Sequence, residues 1–278
     1  GEGPVWDVIN GCILWIDILN ACIIEHHLAT GSERTIPTGS MIGSFAIMDN
    51  GNFIAALQEG FATIDRITCK KNIIASPEKN MPSNRFNDGK CSPDGHFWAG
   101  SMSLNETDAS GYLYSIDAKH QIHQHEKELT ISNGLCWSLD KKYFYFIDTP
   151  TLEVVRYNYV DGNILHKTSI IKIDAVKDGY PDGMTIDAEG MLWIAHWGGW
   201  QVTRWDPSTG EKIDAIKLPV SQVTSICFGG SDFDEMYITS ARRGLNEEQL
   251  SLEPLAGGTF QVKNTGYRGL PFYRFKNA

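Results

Sequence analysis

The feature that most constrains the fold of this chain is a short apolar segment that keeps returning. Cys12-Ile13-Leu14-Trp15-Ile16-Asp17, Asn52-Phe53-Ile54-Ala55-Ala56 and His96-Phe97-Trp98-Ala99-Gly100 each read as a strand. So do Tyr143-Phe144-Tyr145-Phe146-Ile147-Asp148, Met191-Leu192-Trp193-Ile194-Ala195 and Glu235-Met236-Tyr237-Ile238-Thr239. Aligned on Trp15, Ile54, Trp98, Tyr145, Trp193 and Tyr237, they recur at intervals of 39, 44, 47, 48 and 44 residues. Turn signals such as Pro93-Asp94-Gly95 precede them, and alternating strands such as Gln201-Val202-Thr203-Arg204-Trp205 follow most of them. Four short strands per unit of about 40–45 residues is the period of a β-propeller blade. Six such units fit 278 residues, whereas a sandwich of many short strands leaves the interval unexplained. With no convincing amphipathic helix and no linker, the expectation is a single all-β domain over 1–278, a six-bladed β-propeller.

A propeller turns the strand entrances of its blades toward one axis. Here those positions, roughly a dozen residues before each anchor, are Glu2, Ser44, Asn87, Asn133, Asp182 and Thr224. Tyr180-Pro181-Asp182-Gly183 reads as a tight turn feeding a strand, which holds the Asp182 carboxylate in place yet accessible. Any one such Asx-Gly pair is ordinarily just a turn former. Recurrence at one phase of the repeat instead predicts an oxygen-rich, net-negative ring with a metal in the central channel. Carboxylate and carboxamide oxygens suit a hard divalent cation, Ca²⁺ first, with Mg²⁺ or Mn²⁺ able to replace it.

The formal net charge of −10, without a long acidic or basic run, argues against nucleic acid or an anionic membrane as partner and is compatible with a bound cation. No segment reaches the roughly 18 apolar residues of a membrane span. The six cysteines stand singly, several inside apolar runs, and no signal peptide is legible, so buried thiols in a cytoplasmic protein are expected. Nothing points to an oligomer, and a monomer is expected.

Gly1-Glu2-Gly3-Pro4-Val5-Trp6, Asn84-Arg85-Phe86-Asn87-Asp88-Gly89-Lys90, Ser132-Asn133-Gly134-Leu135-Cys136-Trp137-Ser138 and Pro181-Asp182-Gly183-Met184-Thr185-Ile186-Asp187 together resemble the gluconolactonase/regucalcin family, to which senescence marker proteins and luciferin-regenerating enzymes are related. Val223-Thr224-Ser225-Ile226-Cys227-Phe228-Gly229-Gly230 extends the resemblance toward the end of the chain. The resemblance implies a six-bladed propeller with one divalent ion, Ca²⁺ first and Zn, Mn, Mg or Fe admitted by the same donors, held by Glu2, Asn133 and Asp182. It implies substrate contacts at Arg85 and Asn87, and a further one that falls on Asn105, where animal members have Glu. The implied reaction is hydrolysis of a sugar lactone, with Asp182 as general base. Its rivals are an organophosphate or ester hydrolase on the same scaffold and a non-catalytic calcium-binding protein.

Other residues attract attention. Asp88 is expected to orient the metal ligands rather than bind. His196, read at the end of an inner strand, could reach the channel mouth. His120, His123 and His125 are spaced like ligands but read as a solvated hairpin, and Asp187 as part of a turn.

Overall fold

In the computed structural model, which describes residues 1–277, six small antiparallel sheets stand in a ring. Five have four strands and the sixth has three, and within each sheet the strands follow chain order, so every blade is a contiguous stretch of sequence. The ring closes where the inner strand of blade 1 packs on that of blade 6: Thr224 Oγ1 donates to Gly1 O at 2.9 Å. Among the described residues no helix is long and apolar enough to cross a membrane.

The inner strands are Glu2–Asp7, Ile42–Ile47, Asn84–Cys91, Ser132–Trp137, Tyr180–Ile186 and Val223–Gly229. The apolar anchors lie in the second strands, such as Cys12–Asp17 and Leu192–Trp197, and not in the inner ones. Here the structure corrects the sequence reading. The Pro-Asp-Gly and Ser-Asn-Gly motifs are themselves inner strands, each interrupted by a bulge opposite its partner. The pairing slips between Glu2 and Val5, Ile42 and Ser44, Asn133 and Leu135, Pro181 and Met184, and Val223 and Ser225, and in blade 3 opposite Gly100. A bulge inserts an extra residue and re-aims side chains. All six bulges sit at the ring positions.

Glycine is needed here for closeness rather than for turning. A Cβ on Gly134 would stand 2.7 Å from Asp182 O, and one on Gly183 would stand 2.8 Å from Thr224 O. Adjacent inner strands thus meet backbone to backbone, which draws the ring tight. Between blades, apolar faces interleave: Leu14, Ile16 and Ile23 of blade 1 pack with Phe45, Phe53 and Ile64 of blade 2, and Trp98 of blade 3 with Trp137 and Phe144 of blade 4. All six cysteines are free, and all but Cys69 are buried.

Two buried arginines tie polar interiors. Arg66 donates from Nη1 to Asp7 at 2.6 Å and from Nε to Glu25 at 2.9 Å, joining blade 2 to blade 1. Asp187 heads its turn as expected, its Oδ1 accepting from Glu189 N and Met191 N, and being 1% exposed it is also a core acceptor, to which Arg204 Nε donates at 2.7 Å. His125 is likewise no solvated group: its ring stacks on Trp98 at 3.8 Å between centroids and its Nε2 bonds Ser115 Oγ.

After blade 6 the chain crosses the end of the channel away from the ring. Gly269 N donates to Phe233 O of blade 6, Ala188 N of blade 5 donates to Arg268 O, Phe275 N donates to Ile47 O of blade 2, and Lys276 N donates to Gly95 O of blade 3. Residues 268–276 therefore form a strap across the lower mouth.

Candidate metal centre and substrate site

Glu2, Ser44, Asn87, Asn133, Asp182 and Thr224 are all nine-tenths or more buried at the bulges. The structure brings Glu2, Asn133 and Asp182 together. Burial, and then the neighbouring Glu2 and Asp88 carboxylates, push the Asp182 carboxyl well above its usual range, while the Asn133 amide lies within hydrogen-bonding reach of it. Glu2 is pushed up to about 7, first by burial and then by Asp88. Asp88, fully enclosed, is raised by burial against the opposing pull of Lys90. Three carboxylates at close quarters in a buried channel repel one another, and a hard dication is the species that relieves this. The donor set fits one.

The amides are oriented. Asn133 Nδ2 donates to Thr149 Oγ1 at 2.9 Å, and Thr149 Oγ1 in turn donates to Pro181 O at 2.8 Å. That leaves Asn133 Oδ1 as the oxygen turned to its neighbours, where it accepts from Asn87 Nδ2 at 3.2 Å. Asn87 Nδ2 also donates to Ser132 O at 2.8 Å, while its Oδ1 accepts from Arg85 Nη1 at 2.8 Å. Asn87 is thus a bridge from Arg85 to Asn133. Among the described residues the bonds of the Arg85 guanidinium all leave from Nη1, so Nη2 and Nε have no protein acceptor.

One strand carries most of this. In Asn84–Cys91 the bulge adds a residue at the ring, so alternation is reset and Arg85, Asn87, Asp88 and Lys90 all point inward, in order from the upper mouth downward. Phe86 and Cys91 take the outward places and pack in the core.

Two expected contacts fall elsewhere. The Asn105 side chain is folded onto its own exposed loop, where Oδ1 accepts from Thr107 N and Asp108 N, and Nδ2 donates to Asp108. The next residue, Glu106, pairs with Arg243 across the upper mouth, from blade 3 to the opposite blade 6, and its charge reaches Arg85. His196 lies on a second strand, fully buried, bonding Thr203 Oγ1 through Nε2 at 2.6 Å. Its surroundings are Asp178, Gly179 and Gly199 rather than the ring. Glu106 and Thr149 are single polar residues outside any motif, and Lys90 entered the sequence analysis only as the last residue of the Asn84–Lys90 stretch, with no role assigned.

A second group of ligand-type atoms, on Cys12, Glu25 and His27, gathers within 4.8 Å. Arg66 already lies against it, donating to Glu25 and, at 3.3 Å, to Cys12 Sγ. Burial also pushes the Cys12 thiol up to about 12, which keeps it protonated. The resident guanidinium fills the role a cation would have.

Comparison with known proteins identifies the family and the fold. The sequence model of the SMP-30/Gluconolactonase/LRE-like region matches residues 1–242. Regucalcin of Gallus gallus is 38% identical over 282 residues, covering 99% of this chain and 94% of its own. Among solved structures, a luciferin-regenerating enzyme superposes with a TM-score of 0.93 at 28% identity, covering 99% of this chain and 95% of that one. A calcium-binding protein, regucalcin, from Agrobacterium tumefaciens gives 0.92 at 30%, covering 99% and 93%.

Proposed function

The chain belongs to the SMP-30/gluconolactonase/LRE-like family, and from that premise we propose that it hydrolyses a sugar lactone to the aldonic acid with one divalent metal ion in its channel. The observation that carries this reading is the convergence of Glu2, Asp88 and Asp182 with Asn133, beside an arginine whose Nη2 and Nε lack a protein acceptor. Glu2, Asn133 and Asp182 would hold the ion, Ca²⁺ first, with Zn, Mn, Mg or Fe as substitutes.

When bound, such an ion polarises the lactone carbonyl and makes water more acidic. Asp182 accepts the proton of the attacking water at its carboxylate and returns it to the ring oxygen as the acyl C–O bond breaks. Arg85 binds the sugar hydroxyls through Nη2 and Nε, and Asn87 fixes the Arg85 guanidinium by accepting from Nη1. Thr149, through Asn133, keeps a carboxamide oxygen rather than its NH₂ on the ion.

The test is turnover of a panel of aldonolactones by pH-stat, using metal-stripped protein with Ca²⁺, Mn²⁺, Zn²⁺ and Fe²⁺ added back singly. Metal-restored turnover is expected on one or a few lactones, and Asp182→Asn should lower kcat by about 10³-fold or more. A non-catalytic calcium-binding role is the second reading, favoured by the Agrobacterium relative described as calcium-binding. Tight Ca²⁺ binding with no turnover on any lactone would establish it.

A further inference from the structure

Lys90 is a charged group of the channel that neither the metal nor the substrate reading uses. It leaves the inner strand of blade 3 just below the ring, and its Nζ donates to Met184 O of blade 5 at 2.8 Å. The bond therefore passes beneath blade 4. From below, the Phe272 ring of the strap covers the ammonium, 5.4 Å from Nζ to centroid. Lys90 lines two cavities between the ring and the strap, of about 80 Å³ and about 290 Å³. The first of these also contains Ser44, Asp88 and Ser225. The Lys90 charge is felt at Asp88, at Cys136 of blade 4 and at Cys227 of blade 6. A cation that acts on strands of three blades and bonds a fourth stands near the axis.

The local charge is uneven in an informative way. Glu2, Asp88 and Asp182 carry three formal negative charges, and Arg85 and Lys90 carry two positive ones. A dication then leaves the channel at net +1; without Lys90 the same dication would bring it to zero. A bond to the Met184 carbonyl needs only a donor, and a glutamine or a hydroxyl could supply one. An ammonium at this place, partly buried with an aromatic ring beneath it, carries a charge that a neutral donor cannot.

We propose that Lys90 is a tethered counter-ion of the channel, holding the carboxylate ring together when no metal is bound and setting a lower affinity for the divalent ion than the ring alone would have. It is a positioning residue, acting on the ion through charge and on Asp182 through the Met184 carbonyl two residues along the same strand. The inference rests on the reading of the ring as a divalent-cation site and not on the lactonase reaction.

The experiment compares wild type with Lys90→Met, Lys90→Gln and Lys90→Arg in the full chain. Calorimetric titration with Ca²⁺ and with Mn²⁺ is combined with thermal melts in EDTA and in saturating Ca²⁺. Lys90→Met and Lys90→Gln should melt earlier in EDTA, bind Ca²⁺ on the order of tenfold more tightly, and show a larger Ca²⁺-induced rise in Tm. Lys90→Arg, which keeps the charge, should bind Ca²⁺ within about threefold of wild type. Lys90→Gln retains a donor, so it keeps the comparison readable if the methionine variant folds poorly. A purely structural tie predicts the same loss of stability but unchanged or weaker Ca²⁺ binding, and that result overturns the proposal. Wild-type protein that binds neither ion overturns it together with the metal reading. Cation binding without lactone turnover removes only the lactonase reading and leaves this one standing.

Discussion

Replacing Arg66 by methionine should be costly, and costly in a pH-dependent way. The guanidinium bonds Asp7, whose side chain is 0% exposed, and Glu25, at 6%, and is itself 9% exposed. Its removal leaves two buried carboxylates whose remaining partners are the Ile9 N–H, Asn10, His27 and the more distant Arg274. Breaking a buried pair by deleting one side costs about 3–5 kcal/mol. An unfolding entropy of about 2.1 cal/mol/K per residue gives about 0.6 kcal/mol/K for this chain, so Tm at pH 7.5 should fall by about 5–9 °C. In the wild type, burial pushes both carboxyls up, but the Arg66 bonds outweigh it and hold them below their ordinary values of 3.8 and 4.5. Their contribution is therefore complete above those values and is lost only as pH falls through the folded pKa, so it is constant between pH 5.5 and 7.5. In the variant, burial acts without the arginine and raises both, so protonation relieves the penalty as pH falls. The Tm gap between the two proteins, read by circular dichroism in EDTA, should shrink from pH 7.5 to pH 5.5. A gap under about 2 °C at pH 7.5, or one that widens on acidification, would refute the reasoning.

Three further expectations are open to direct measurement. Gly183→Ala places a Cβ 2.8 Å from Thr224 O, so it should force the inner strands of blades 5 and 6 apart; Ca²⁺ affinity by calorimetry should drop at least tenfold, with about 1–3 kcal/mol of stability lost. Burial holds His125 and His196 down to about 4, so each contributes stability above its ordinary 6.5 that is lost as pH falls toward 4, up to about 3 kcal/mol apiece; His196→Gln should flatten the Tm profile in that window. The mouth-spanning Glu106–Arg243 pair is exposed, so Arg243→Ala should change Tm by little, about 0–1 kcal/mol in stability. If the pair bars the entrance, the same variant should shift KM for the lactone with kcat nearly intact, and its salt dependence should vanish.

Much of this was legible in the sequence, for a physical reason: the second strand of every blade is a dense apolar run, and it recurs. The ring was legible too, since Asx residues at one phase of a repeat are hard to explain as turns alone. What misled was the local character of the inner strands. Gly134 and Gly183 are present because neighbouring backbones meet there, yet glycine beside Asn or Asp reads as a turn. That moved the inner strand one place along each blade and placed His196 near the channel when it lies in a core. Asn105 is turned onto its own loop by Asx-type bonds to Thr107 and Asp108, which the loop's sequence alone does not reveal. Lys90 bonds a blade 94 residues away, and Thr149 joins Asn133 of its own blade to Pro181 of the next, 16 and 32 residues away, so neither role shows in a local pattern. The strap has no periodicity at all; its backbone bonds go to four different blades.

That strap has a consequence for traffic. With residues 268–276 stitched over the lower end and Phe272 seated beneath Lys90, the channel is a cul-de-sac. Reactant, water and the ring-opened acid would all use the upper mouth, under Glu106 and Arg243. Entry and departure then exclude each other in time: a product that lingers blocks the next arrival, and an aldonate added from outside competes directly with the lactone. The rate at steady state becomes a property of the doorway as much as of the carboxylates below it.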